Sequence, residues 1–384
     1  MNSETVLLIR NVKPKHYGGG ELYQIVLAEE LKKHGFWPVV VTASKELLAA
    51  AKRKKIEAVE SLYLESQIWS GWRNFLLPVY IFKLKKLGRW YKELFEKYQP
   101  STINVQSRDD YIIATLVAKK MGVRVLWTDH AEFQSWIFQN MNVWYKNWIG
   151  KMIVAASKKA DKIIVISDFE KKQVSKMIAP RKMKNMTVIN NGVIDRVNEY
   201  KKIKPKKNSF VFIGRLVRDK GVFELIEAFR KVVEKYPEAR LNIYGEGEDA
   251  KLCREAAKGC SGIVFHGYTD EPLRVLAEND CFVLPSYHEG LSLSLLEAAM
   301  MEKTIIASNV EGNLAVIKDR KTGLLVPVED SEKLAEKMLE VVEDRGFARE
   351  LAKNAREYYE ENFDFDKIFV EKMLPLYNKE KEEK

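Results

Sequence analysis

Short aliphatic runs alternate along this chain with longer stretches whose apolar residues recur every three or four positions. VLLI at 6–9 is followed by a glycine loop and then by ELYQIVLAEELKKHG at 21–35. In that stretch Leu22, Ile25, Val26, Leu27 and Leu31 keep near-helical spacing, and Gly35 stands where a helix C-cap belongs. PVVVTA reads as the next strand. INVQ, VRVLWT, KIIVIS and MTVIN follow, and later FVFIGR, ARLNIYG, IVFHG, CFVLPS and KTIIAS, each separated by roughly a helix-length of sequence. Such alternation predicts an α/β fold with parallel sheets. It occurs twice, on either side of the Lys-rich YKKIKPKKNS at 200–209, which reads as a solvated linker. The expected organisation is an N-terminal Rossmann-like domain over 1–199 and a second over 210–355. A C-terminal helix over 356–384 is expected to pack back toward the first domain. Two such domains facing each other create a cleft at the carboxyl ends of their strands.

Composition narrows the partners. Of 384 residues, 46% are hydrophobic and 31% charged, which suits a soluble globular protein. The formal net charge of +10 is unevenly shared: residues 1–200 carry 33 basic and 19 acidic side chains, the remainder 31 and 35. All 8 Trp lie between Trp37 and Trp148. Two halves with such different surfaces face different partners. No apolar run approaches the ~18–20 residues of a spanning helix, and the apolar core at 6–9 is too short for a signal peptide. Three Cys, without a CxxC pair or zinc spacing, argue against a disulfide framework or a structural zinc and suit a reducing cytoplasm. Scarce Gln beside abundant Lys and Glu leans toward a thermophile.

Four segments carry candidate chemistry. Gly18, Gly19 and Gly20, followed by Glu21, stand between a strand and a helix, where backbone can approach a ligand and helix N–H groups can meet an anion; a plain flexible turn is the alternative. In FIGRLVRDKG a strand ends at Gly214, with Arg215 and Lys220 placed for an anionic ligand such as a diphosphate, unless they are ordinary surface cations. GEGEDA at 245–250 matches the GxGxxA dinucleotide pattern, but Glu246, Glu248 and Asp249 would set three negative charges where a pyrophosphate must sit. A turn against a helix start reads better. In LPSYHEGLSLSLLEAAM a strand ends at Pro285-Ser286, Glu289 and Gly290 occupy a loop, and a helix from about Ser292 carries Glu297. Carboxylates there can accept from sugar hydroxyls while the helix N-terminus receives phosphate.

Taken together and in order, these segments resemble a family-four, GT-B fold glycosyltransferase from about 6 to 328. YGGGE resembles the family's GGxE loop, WTDHAEF its segment with a cleft-facing His (His130), and VINNGV its last N-domain strand. IGRLVRDKG resembles its phosphate-binding segment, and HEGLSLSLLEA its E-x7-E motif. One departure stands out: the family often has EGFG or EGLP, whereas this chain has Glu289-Gly290-Leu291-Ser292. The resemblance implies a retaining hexosyltransferase that needs no metal or other cofactor and uses a nucleotide diphosphate sugar, UDP-, GDP- or ADP-linked, as donor. It implies that Arg215, Lys220 and the helix start at Leu291 and Ser292 stabilise the leaving diphosphate. Glu289 then holds sugar hydroxyls, Glu297 the ribose, and His130 the transferred sugar. Gly18, Gly19, Glu21, Gly214 and Gly290 shape the donor loops, and Tyr268 and Thr269 fall where the family lines its base pocket.

The acceptor falls to the basic, Trp-rich half. Trp69, Trp72 and Trp90 mix with Arg73, Lys83, Lys85, Lys86 and Arg89, and Trp136, Trp144 and Trp148 follow. Such segments can lie in an anionic membrane interface, line a carbohydrate site, or pack into the core. The expectation is a cytoplasmic enzyme, peripheral at the inner membrane face, that glycosylates a lipid-linked or carbohydrate acceptor. Alternatives are a soluble glycan synthase or phosphorylase-like enzyme, a non-catalytic nucleotide-sugar-binding protein, and a nucleic-acid-binding protein. The last lacks any recognisable nucleic-acid motif, so no nucleic-acid partner is expected.

Overall fold

The computed structural model describes residues 3–11, 19–62, 77–129, 148–177 and 185–378. The chain forms two compact units, 1–190 together with 369–384, and 191–368.

The first unit is built on seven parallel strands: β1 (Thr5–Ile9), β2 (Trp37–Thr42), β3 (Glu57–Glu60), β4 (Thr102–Val105), β5 (Arg124–Asp129), β6 (Lys162–Val165) and β7 (Met186–Val188). They lie in the order β3-β2-β1-β4-β5-β6-β7. The order reverses between β1 and β4, the kind of switch point at which open α/β sheets take ligands. Val6, Leu7, Leu8 and Ile9 are fully buried, as a central strand covered on both faces requires. Around the sheet run α1 (Gly19–Lys33), α2 (Lys45–Arg53), α3 (Leu77–Tyr98), α4 (Arg108–Lys120), α5 (Trp148–Ser157) and α6 (Asp168–Met177). Gly35, at φ 87°, follows α1 in a left-handed conformation, the stop signal its position suggested.

The second unit repeats the plan with six parallel strands: β8 (Lys206–Ile213), β9 (Arg240–Tyr244), β10 (Ile263–Gly267), β11 (Asn279–Leu284), β12 (Thr304–Ser308) and β13 (Leu324–Val326). Their order is β10-β9-β8-β11-β12-β13, reversing between β8 and β11. The main helices are α7 (Val222–Lys235), α8 (Ala250–Ala256), α9 (Pro272–Glu278), α10 (Leu293–Met300), α11 (Ser331–Glu343) and α12 (Arg345–Asn362). Phe210, Val211 and Phe212 of β8 and Phe282 and Val283 of β11 lie at the centre of the core. Both units are Rossmann-like.

Two boundaries differ from the expectation. The first division falls at Asn190, ahead of the Lys-rich stretch, because 206–209 already belong to β8 and pair with β9 and β11. Lys side chains can sit on a strand whose exposed end leaves them in water, so composition alone mistook strand for linker. The expected C-terminal helix is split: α12 packs in the second unit, while the chain from Phe369 onward belongs to the first. There Tyr377 is fully buried and accepts a hydrogen bond from Asn104 Nδ2 at 2.6 Å. Two short strands, β3 and β13, were not expected; EAVE and LLV are too brief to show a period.

Candidate functional site

In the second unit the sequence candidates gather where the strand order reverses. β8 runs into Gly214 and Arg215, and a single 3₁₀ turn, Arg218–Lys220, precedes α7. β11 runs into Pro285 and Ser286, and the loop to α10 holds Glu289 and Gly290. The backbone N–H of Tyr287 donates to the carbonyl of Asp219 at 2.8 Å, tying the two strand-end loops together. Lys220 Nζ then lies 2.7 Å from Glu289 Oε1, with side-chain exposures of only 19% and 10%. Tyr287 adds a second link, its hydroxyl donating to Glu224 Oε1 at 2.7 Å; burial and that carboxylate push the phenol up to about 12. Arg215 is exposed and makes no ion pair or hydrogen bond among the described residues, so its guanidinium stays available.

α10 opens this site to an anion. Ser292 occupies the N-cap position but does not cap, its Oγ pairing instead with Ser294 Oγ at 3.0 Å. Among the described residues no side chain caps the first-turn N–H groups, which carry the positive end of the helix dipole. Leu291 precedes them in the same loop. Glu297 projects from the middle of the helix. It keeps partial solvent access, yet burial pushes its carboxyl up to about 7, while Arg196 pulls the other way. Arg196 is itself committed to Glu199, Nε to Oε1 at 2.8 Å.

The GEGEDA segment is resolved as a backbone crossing. A Cβ on Gly245 would stand 1.8 Å from the Gly214 carbonyl oxygen, and one on Gly247 2.2 Å from that of Leu216. Leu216 N–H donates to Glu246 O at 2.9 Å and Asp249 N–H to Leu216 O at 3.0 Å. These glycines let the loop after β9 lie against the loop after β8, and so support the Gly214–Arg215 turn from below.

Some of the site was not legible in the sequence. A Cβ on Gly312 would fall 1.5 Å from Gly290 O and 2.4 Å from Glu289 O, so the short helical turn Glu311–Leu314 presses on the acidic loop. Asn313, fully buried, donates from Nδ2 to Ser308 O at 2.9 Å, and the Ser308 hydroxyl donates to Ser286 O. This relay fixes the ends of β11 and β12 together. Nothing in EGNLAV marks it, because Ser286 and Gly290, on which this segment acts, are distant in sequence.

The remaining candidates are less gathered. Tyr268 and Thr269 follow β10, two strands from β8; Tyr268 is 76% exposed and Thr269 Oγ1 accepts from Glu271 N–H at 3.1 Å in a local turn. In the first unit Gly19 and Glu21 lie in the first turn of α1, after β1. Gly18 and His130 lie outside the described residues, as do Trp69, Trp72, Arg73, Trp136 and Trp144. His130 directly follows Asp129, the end of β5. At the β1–β4 reversal the sequence did not single out Asn11. Its N–H donates to Ser107 Oγ at 2.9 Å, its Nδ2 to Leu62 O at 3.1 Å, and its Oδ1 accepts from Ser61 Oγ at 2.7 Å. Asp110 accepts from the Tyr91 and Ser107 hydroxyls, each at 2.6 Å.

Comparison with known proteins gives matches in both units. Residues 17–196 match the family model described as Glycosyltransferase Family 4, and residues 194–358 that described as Glycosyl transferases group 1. An uncharacterised glycosyltransferase of Methanocaldococcus jannaschii is 29% identical over 68% of this chain and 69% of its own. The UDP-Gal:alpha-D-GlcNAc-diphosphoundecaprenol alpha-1,3-galactosyltransferase of Escherichia coli is 28% identical over 77% and 79%. Among solved structures, a glycosyltransferase from Rickettsia africae superposes with a TM-score of 0.77 over 98% of both chains at 20% identity, a likeness of fold.

Proposed function

The chain belongs to the family-four glycosyltransferases, and from that premise we propose that it is a retaining hexosyltransferase that transfers sugar from a nucleoside diphosphate sugar to a lipid-linked acceptor without a metal ion. The observation that carries the donor side is the meeting of Lys220 and Glu289 beside the uncapped start of α10. A leaving diphosphate accumulates negative charge as the bond from the anomeric carbon to its oxygen breaks. Lys220, the free Arg215 and the α10 N–H groups supply preorganised positive charge for that oxygen. The acceptor oxygen forms its bond to the same face, and its proton passes to the leaving phosphate oxygen. Glu289 then accepts from hydroxyls of the sugar, and Glu297 from the ribose diol. Gly214, Gly290, Leu291 and Ser292 let backbone come close to the donor. Gly18, Gly19, Glu21 and His130 are assigned to the sugar side, and Tyr268 and Thr269 to the base.

The acceptor reading has separate support. On the outer face of α3, Val79, Ile81 and Phe82 are exposed, Phe82 by 67%, and Lys85, Lys86 and Arg89 follow on the exposed surface. Apolar side chains beside cations suit the headgroup boundary of an anionic membrane. Among the described residues no helix is long and apolar enough to cross a membrane. The relative from Escherichia coli is named for a UDP-linked sugar and a diphosphoundecaprenol-linked acceptor, which favours both a UDP donor and a lipid-borne acceptor here. Trp90, by contrast, packs on Tyr91 at 5.1 Å against the core, a structural use of one predicted interfacial aromatic.

The deciding experiment is a thermal-shift panel of UDP-, GDP- and ADP-linked sugars, since a ligand that binds only the native state raises its melting temperature. A UDP-sugar is expected to give the largest shift. A flat response to every nucleotide sugar would sink the assignment.

A further inference from the structure

The second unit holds another concavity, at the opposite edge of its sheet. Ala277 and Lys303 stand just before the amino ends of β11 and β12, and Met301 follows the last residue of α10. With Tyr200, Lys201 and Arg356 they help to line a cavity of about 540 Å³. The donor candidates sit at the carboxyl ends of these strands, so the cavity is a separate place in the fold.

Its charges are unevenly satisfied. Arg356 is fully engaged: Nη1 reaches Asp195 Oδ1 at 3.1 Å and Met300 O at 2.7 Å, Nη2 pairs with Asp195 Oδ2, and Nε pairs with Glu360 Oε1 at 2.6 Å. Lys303 is the opposite case. It is 8% exposed, and among the described residues it forms no ion pair and its Nζ makes one hydrogen bond, to Ala277 O at 3.5 Å. That distance lies at the outer limit of a hydrogen bond. Lys201 lies exposed in the same lining. Glu302, at the rim, is exposed and follows the bend of the chain at φ 53°. A buried ammonium with carboxylates near but none in an ion pair is costly, and the cost falls when an anion joins it directly. Burial accordingly pulls the Lys303 ammonium below its ordinary range, with Asp280 and Glu302 acting the other way.

We propose that this cavity binds a small organic phosphate, whose anionic group pairs with Lys303 and Lys201 while its body rests on the apolar wall at Tyr200 and Met301. Its volume falls within the range of about 300–1,000 Å³ usual for small-molecule sites. A phosphate monoester meets two ammonium groups with the charge they require, and ammonium groups serve phosphate as point charges.

The test is direct binding and does not depend on catalysis. Inorganic phosphate, glucose 6-phosphate and AMP serve as probes in calorimetry and thermal shift, at constant ionic strength, with chloride as the reference anion. Wild-type protein is expected to bind at least one organic probe more tightly than inorganic phosphate. Lys303→Met, which keeps the volume and removes the charge, should weaken that probe at least tenfold, and the exposed Lys201→Glu should do the same without touching the interior. Lys220→Ala, at the other end of the sheet, should leave it unchanged. Absence of binding by all three probes would overturn the proposal. So would binding that is lost in Lys220→Ala but kept in Lys303→Met and Lys201→Glu, which would place the anion at the donor site. Failure here leaves nucleotide-sugar binding intact, so the two readings are separable.

Discussion

Lys220 and Glu289, 69 positions apart, meet at 2.7 Å with little exposure of either side chain. The two oppositely charged side chains face each other in a partly desolvated place. In the proposed function, a diphosphate at Lys220 takes over this pairing and leaves Glu289 to the sugar hydroxyls. Removing one partner alone leaves the other buried and unpaired. Lys220→Ala is therefore expected to destabilise the fold by about 2–4 kcal/mol in urea unfolding. Lys220→Ala/Glu289→Gln should recover part of that loss. Strict additivity in this double-mutant cycle would show that the pair does not couple. Turnover should fall at least a hundredfold in either single variant.

Under the proposed function, Glu297 is expected to make donor binding depend on pH. Its folded pKa of about 7 lies above the ordinary carboxylate value because of burial. The proton is thus held more tightly in the native state. The associated stabilisation is complete below the unfolded pKa and is lost as pH rises through about 7. Glu297→Gln should remove that loss, gaining on the order of 1–3 kcal/mol relative to wild type at pH 8 and little at pH 4. Affinity for UDP should move the opposite way in wild type, rising from pH 5.5 to 7.5 as the ribose-accepting carboxylate ionises, and should flatten in the variant. An identical pH profile in both proteins would remove Glu297 from the nucleotide site.

Gly312 tests how firmly the acidic loop is held. The Cβ of alanine there would stand 1.5 Å from Gly290 O, too close for any accommodation short of backbone movement. A Cβ on Gly290 would meet nothing within 4 Å, so the loop has room on that side to give. Gly312→Ala should keep its circular dichroism spectrum and still lose at least tenfold in kcat. Full turnover would mean that the position of Glu289 is not critical.

The exposed face of α3 should govern membrane attachment and leave the donor end untouched. Phe82→Ser combined with Lys85→Glu and Lys86→Glu is expected to abolish sedimentation with vesicles containing anionic phospholipid at low salt. UDP-sugar binding, measured by thermal shift, should match wild type. Equal vesicle binding by both proteins would favour a soluble carbohydrate acceptor.

The sequence by itself determined the two Rossmann-like units and most of their strands, because burial on both faces writes continuous aliphatic runs into the chain. It also placed Gly214, Lys220, Glu289 and Glu297 at strand ends and on a helix, since those positions follow from local pattern. It misplaced the boundary at 200–209, because Lys residues say that a side chain reaches water and nothing about whether its backbone pairs. Only the tertiary structure decided which strand ends lie side by side. That order brought Lys220 to Glu289, pressed Gly312 on Gly290, and turned GEGEDA from an apparent nucleotide loop into a support for Gly214. It also shields Glu297 and Lys303 from most of the surrounding water. Such effects depend on what surrounds a charge through space, and neighbours along the chain do not supply that.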